Sequence, residues 1–229
     1  LIKIQKKKFL DWLILNLSKY NVKNIFLLCS YKQEIFFKNY HKKNENNINI
    51  QCINEGLPKG TGGALLKLKK KIKEDFLLLN GDTYFDINFI DLIKQKNKKS
   101  IGTVALVKDN FHKYNDKLNN IKLNKNFLAF SKKKTNIMNG GIYFFSPKIF
   151  NYLKFRCSLE DDVLPVLIKN KKIQGKIYNE KFIDIGTPKN LKKIKYKKLD
   201  FFKKKFAFLD RDGVINKKIK QGYVLNKNH

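Results

Sequence analysis

The chain has 229 residues, 42% of them hydrophobic, enough to bury a core and too apolar for an intrinsically disordered chain. Its formal net charge of +31 comes from 50 Lys and Arg against 19 Asp and Glu, yet only Arg156 and Arg211 are arginine. Lysine scattered along the whole length gives a solvated basic surface rather than the arginine forks that read bases, so nucleic acid is not an expected partner.

In chain order, KFLDWLILNLSKY (residues 8–20) places apolar residues at helical spacing, and NIFLLCS (24–30) is the short apolar run of a buried parallel strand. YKQEIFFKNY (31–40) reads as helix, INIQCIN (48–54) as extended, TGGALLKLKKKI (61–72) as helix, and DFLLLNGD (75–82) as a buried strand running into a loop. Helix INFIDLIKQ (87–95) and strand IGTVALV (101–107) continue the alternation. The pattern predicts an α/β domain with a mostly parallel sheet. The short alternating segments of NIKLNKNFLAFSKK (120–133) predict an antiparallel excursion before the strand NGGIYFFS (139–146). Helix SLEDDVLPVLIKN (158–170), extended KIYNEKFIDIG (176–186) and lysine-rich helix TPKNLKKIKYKKL (187–199) follow. The expected domains are 1–198 and 206–229, joined by a linker over 199–205.

Cys29, Cys52 and Cys157 are odd in number and lack metal-like spacing, which argues against a disulfide framework or a zinc site and fits a reducing cytoplasm. No apolar run approaches the roughly 20 residues that cross a bilayer, so no membrane partner is expected. The chain begins at Leu1, which leaves any N-terminal signal unobservable.

GTGGA (60–64) sits between an extended segment and a helix, where glycines admit a ligand close to the backbone and helix N–H groups face an anion or a polar ring. A plain strand-to-helix turn is the alternative. Asp82 follows the apolar strand FLLLNG, at the sheet edge where ligands bind in open α/β folds; its alternative is a helix or turn cap. Asp184 in FIDIGTP has the same local form, with Thr187 and Pro188 explained as helix cap and first helical residue. Two such acids could share one Mg²⁺.

The ordered set EGLPKGTGGAL, FLLLNGD, MNGGIYFF, SLEDDVLP and FIDIGTPKNL resembles the sugar-1-phosphate nucleotidylyltransferases, most closely the heptose-activating branch, and covers nearly all of residues 1–198. The resemblance implies a Rossmann-like nucleotidyltransferase fold with a mostly parallel mixed sheet. It implies transfer of a nucleoside monophosphate, GMP from GTP being favoured, to a sugar 1-phosphate such as heptose 1-phosphate, with Mg²⁺ as cofactor and pyrophosphate as product. Such an enzyme would serve nucleotide-sugar biosynthesis for surface polysaccharide. Gly60, Thr61 and Gly62 would line the base, Asn139, Gly140 and Glu160 the sugar, and Asp82 and Asp184 the metal. Glu160 also lies inside a capping box running from Ser158 to Asp161. The family's Glu-Lys pair before the NGG strand is matched by Lys133 for the lysine, with Lys132 in place of the acid. Family members open with a strand and a glycine-rich loop containing a Gly-Thr-Arg step, which this sequence lacks.

FAFLDRDGVIN (206–216) resembles the first motif of the haloacid dehalogenase phosphatases, in the heptose-bisphosphate and histidinol-phosphate branch. There Asp210 would be the nucleophile and Asp212 the general acid and base, both beside Mg²⁺. The two resemblances together imply a window cut from a bifunctional enzyme, truncated at both ends and inactive as a fragment. The competing readings are a phosphatase whose front half only binds, and a basic nucleic-acid-binding protein.

Overall fold

The computed structural model describes residues 1–108 and 120–195, which lie in the first of two units, Leu1–Lys198. The second unit, Leu199–His229, lies outside the described residues, and the expected linker, Asp210 and Asp212 lie there with it.

A hairpin of β1 (Lys3–Ile4) and β2 (Lys7–Lys8) leads into α1 (Phe9–Ser18), which buries Phe9, Leu13, Ile14 and Leu17 along one stripe. β3 (Asn24–Cys29), α2 (Gln33–Tyr40), β4 (Lys43–Glu45) and β5 (Ile48–Asn54) follow. β5 lies between β3, parallel to it, and β4, antiparallel to it. α3 (Gly60–Leu65) tightens into a 3₁₀ turn at Leu66–Leu68 and stops short of the expected Ile72. Lys69, Lys70 and Lys71 are exposed, and Ile72 packs against the core from the turn that follows, its N–H donating to the Leu68 carbonyl at 2.9 Å.

β6 (Phe76–Leu79), β7 (Thr83–Phe85), α4 (Phe89–Gln95) and β8 (Gly102–Lys108) come next, with the Asn88 side chain capping α4 by accepting from the N–H groups of Ile90 and Asp91. β9 (Ile121–Asn124) and β10 (Phe127–Phe130) form the expected antiparallel hairpin. After β11 (Ile137–Phe145), a π turn at Leu159–Val163 enters α5 (Leu164–Lys169). The expected single extended run from Lys176 divides into β12 (Ile173–Tyr178) and β13 (Phe182–Asp184), which belong to different sheets; α6 (Pro188–Lys195) closes the described chain.

The six-stranded sheet has the order β6-β11-β8-β12-β10-β9. The α/β class stands, but the sheet is mixed rather than mostly parallel: of its neighbouring pairs only β8 and β12 run parallel, and β11 lies antiparallel between β6 and β8. A strand buried on both faces is apolar throughout whichever way its neighbours run, so the apolar runs carry no sign of direction.

β3 and β6 belong to separate sheets, yet their side chains divide in the same way. Phe26, Leu28, Phe76 and Leu78 pack against one core, and Ile25, Leu27, Leu77 and Leu79 against the other. Between them lies a largely apolar slot of about 690 Å³ lined by residues of both strands. This opening leaves the side chains of β6 half-buried, whereas β8 is buried from Gly102 to Val107.

Candidate active site

The site begins where β6 ends. β11 pairs with β8 at Asn139↔Leu106 and next at Tyr143↔Val104, so two more residues are spent on β11 than on β8 and the strand bulges at Gly140 and Gly141. Gly141 has φ +68°, and a Cβ there would come within 2.9 Å of the Asn80 amide. A Cβ at Gly140 would press the Phe85 ring at 2.7 Å and the Ala105 carbonyl at 2.8 Å. Asn80 N–H donates to the Gly141 carbonyl at 2.9 Å, tying the bulge to the loop that carries Asp82. Both glycines are therefore set by close approach of neighbouring chain.

The bulge aims Asn139 into a hydrogen-bonded chain. Asn139 Nδ2 donates to the Tyr143 hydroxyl, which donates to Glu160 Oε1 at 3.2 Å. From the other side Thr61 Oγ1 donates to Glu160 Oε2 at 2.8 Å and accepts from the Leu159 N–H at 2.8 Å. The expected capping box forms as well, but its return bond differs. Ser158 Oγ accepts from the Asp161 N–H at 3.0 Å, and the Ser158 N–H donates to Asp162 Oδ2 at 2.7 Å. Asp161 and Asp162 satisfy the backbone of the turn, and Glu160 accepts from the hydroxyls of Thr61, Tyr143 and, at 3.4 Å, Ser158.

Gly60 has φ +78°, and a Cβ on it would lie 2.4 Å from the Cys157 carbonyl oxygen. That oxygen accepts from the N–H groups of both Gly62 and Gly63, each at 3.1 Å. The expectation that the start of α3 offers free donors to an anion is corrected at these two positions. The Gly60–Gly62 loop is instead a wall seated against residues 157–160.

Asp82 and Asp184 meet because β13 pairs antiparallel with β7, setting Asp184 opposite Thr83, and Ile185 N–H donates to the Asp82 carbonyl at 2.9 Å. A Cβ added at Gly186 would touch Asp82 Oδ2 at 2.6 Å and Asp184 Oδ1 at 3.1 Å, so both carboxylates border one small space. Asp184 is oriented by Gly186 N–H at 2.7 Å and Asn190 Nδ2 at 3.0 Å. Asp82 Oδ1 accepts from the Thr83 hydroxyl at 3.2 Å and caps no helix. Loss of water around Asp82, then the adjacent charge of Asp184, push its carboxyl above the usual range against the opposing Thr83 hydrogen bond. The donor set suits Mg²⁺: two hard oxygen ligands of like charge, with no third His, Cys, Asp or Glu forming a cage among the described residues.

Lys133 stands apart. It lies exposed in the loop between β10 and β11, its N–H donating to Ser131 Oγ at 3.2 Å, and among the described residues its ammonium pairs with no acid.

A family model described as nucleotidyl transferase matches residues 1–200. The chain belongs to the nucleotidyl transferase family. It is 36% identical over 193 residues to the D-glycero-alpha-D-manno-heptose 1-phosphate guanylyltransferase of Campylobacter jejuni, covering 82% of this chain and 84% of that relative. It spans 42% of the longer bifunctional protein GlmU of Methanococcus aeolicus, at 34% identity over 74% of this chain. Among solved structures, HddC from Yersinia pseudotuberculosis complexed with GMP-PN superposes with a TM-score of 0.69 at 29% identity, covering 85% of this chain and 87% of that one. A putative glucose-1-phosphate thymidylyltransferase from Bacillus anthracis shares the fold at 14% identity, with a TM-score of 0.72 over 89% of this chain and 88% of that one.

Three further residues border this candidate site. Tyr143 bridges Asn139 to Glu160, and its signal was present as a lone hydroxyl in the apolar run IYFF. Gly186 keeps the space beside the two acids clear, and the Cys157 carbonyl seats the glycine loop. A backbone carbonyl leaves no mark in a sequence.

Proposed function

We propose that this family member is a sugar-1-phosphate nucleotidylyltransferase that transfers GMP from GTP to heptose 1-phosphate and releases pyrophosphate. The observation that carries the reading is the hydrogen-bonded chain Thr61–Glu160–Tyr143–Asn139, which joins the glycine loop to the NGG bulge. Guanine and heptose are supported by the named activity of the Campylobacter relative, and guanine also by the GMP-PN bound to the Yersinia protein.

In this reading a phosphate oxygen of the sugar attacks the α-phosphorus of GTP in line, and the bond to pyrophosphate breaks. The backbone of Gly60–Gly62 borders the base, since the Thr61 hydroxyl is committed to Glu160. Glu160 keeps a lone pair free after its bonds from Thr61, Tyr143 and Ser158, so it can accept from a sugar hydroxyl, while the Asn139 amide holds Tyr143 in place. Lys133, exposed in its loop, would take the sugar phosphate. Asp82 and Asp184 would hold Mg²⁺, which would offset phosphate charge. The protein's own contribution is alignment, which is worth up to roughly 7–11 kcal/mol in well-oriented reactions.

The test is pyrophosphate release by the protein from GTP, Mg²⁺ and a panel of sugar 1-phosphates. Release with heptose 1-phosphate is expected. If no sugar in the panel supports release, the reading fails. Asp210 and Asp212 carry a separate proposal, a sugar-bisphosphate phosphatase, which phosphate release from heptose 1,7-bisphosphate tests independently.

A further inference from the structure

A second pocket, about 780 Å³, opens at the other edge of the six-stranded sheet. β11 runs from Asn139, in the candidate active site, to Phe145, just before Lys148 and Tyr152 of this pocket; the four facing steps of β8, from Leu106 to Gly102, make this a span of roughly 13 Å at about 3.3 Å per residue. Its walls include Ile101, ahead of β8, and Lys172, ahead of β12, so it lies where these parallel strands begin.

Six lysines from four separate segments converge on it: Lys98 and Lys99, Lys125, Lys148, and Lys171 and Lys172. All six are exposed, no Asp or Glu lines the pocket, and among the described residues none of the six is ion-paired. The floor is apolar, with Ile101 and Leu128 buried and Phe127 and Tyr152 partly open. Lysines brought together without carboxylates repel one another, and a multiply charged anion relieves that repulsion at several positions at once. The volume is that of a small-molecule site, and the floor favours a ligand with an apolar or aromatic body.

We propose that this pocket binds a small polyanion built on an aromatic or apolar body, the chemistry of a nucleoside polyphosphate, separately from the candidate active site. The lysines take the charged groups and the Phe127–Tyr152 floor takes the body. This assignment does not depend on which sugar or nucleotide the active site uses.

The probe is hydroxypyrene trisulfonate, a flat fluorescent trianion, titrated into the protein with and without excess GTP. Saturable binding is expected, competed by GTP and weakened as ionic strength rises. The double variant K125E/K172E should lose at least about tenfold in affinity, and K125Q/K172Q, which removes the charges without reversing them, should lose less in the same direction. The control K69E/K70E removes the same charge elsewhere and should bind within about twofold of the unaltered protein; circular dichroism checks that each variant is folded. The proposal is overturned if K125E/K172E binds as tightly as the unaltered protein, if the control loses as much, or if excess GTP fails to displace the probe.

Discussion

Thr61 and Glu160, 99 positions apart, hold each other by a 2.8 Å hydrogen bond. The bond joins the glycine loop after β5 to the π turn before α5, and Tyr143 extends it to the NGG bulge. A carboxylate already held by three hydroxyls, those of Thr61, Tyr143 and Ser158, is pre-oriented, so a further bond to a sugar costs little additional ordering. In Glu160→Gln the amide nitrogen replaces one acceptor and faces at least one of these hydroxyls. kcat/KM for the sugar phosphate should fall roughly ten- to hundredfold, the equivalent of about 1.5–3 kcal/mol for a hydrogen bond to a charged group. Steady-state kinetics with the sugar varied at saturating GTP check this, and an unchanged kcat/KM would remove Glu160 from the sugar site.

Gly60 and Gly56 make a matched pair for measuring loop strain. Both have positive φ, +78° and +75°, but a Cβ at Gly60 meets the Cys157 carbonyl whereas Gly56 faces open space. Gly56→Ala should cost about 1 kcal/mol for its backbone conformation alone. Gly60→Ala should cost more, up to about 3 kcal/mol, and should also weaken nucleotide binding by moving the loop off Cys157. Urea denaturation of both variants, with a nucleotide titration of each, makes the comparison.

The raised pKa of Asp82 fixes the sign of a pH effect. Because its folded pKa lies above the unfolded value, the native state binds the proton more tightly, and stability falls as pH rises from about 3.9 through the folded pKa. At neutral pH and in a chelator, Asp82→Asn should therefore melt at a higher temperature than the unaltered protein, and the difference should vanish in acid. Added Mg²⁺ should stabilise the unaltered protein and leave the variant nearly unmoved, while the variant's turnover falls by more than about a hundredfold. Thermal melts with and without Mg²⁺ test this; a variant less stable in chelator contradicts the crowding of the two acids.

All three cysteines are free and buried. Burial pushes the Cys29 thiol up to about 12, with nearby Cys52 adding to the rise, and burial raises Cys52 as well. Thiolate is the reactive form, so neither should react with iodoacetamide at pH 8 while the protein is folded. Mass spectrometry should show these two sites labelled only after denaturation. Rapid labelling of Cys29 in the native protein would show that β3 opens.

The sequence by itself determined the kind and order of most elements, because apolar spacing is local: the stripe of α1 and the runs of β3, β6 and β8 follow from neighbours a few positions apart. It also determined which motifs matter, since glycines and acids at strand ends are visible as letters. Strand direction was not legible, because β11 has the same apolar composition whether it lies parallel or antiparallel to β8. The convergence of Asp82 with Asp184 was only an expectation until the pairing of β7 with β13 placed Asp184 opposite Thr83. Tertiary structure alone decided that the Cys157 carbonyl takes the N–H groups of Gly62 and Gly63, that Glu160 accepts from distant Thr61 as well as from Ser158 beside it, and that Tyr143 bridges it to Asn139. Each of these depends on a hydrogen bond between groups made neighbours by folding, and such a bond is encoded by no local pattern.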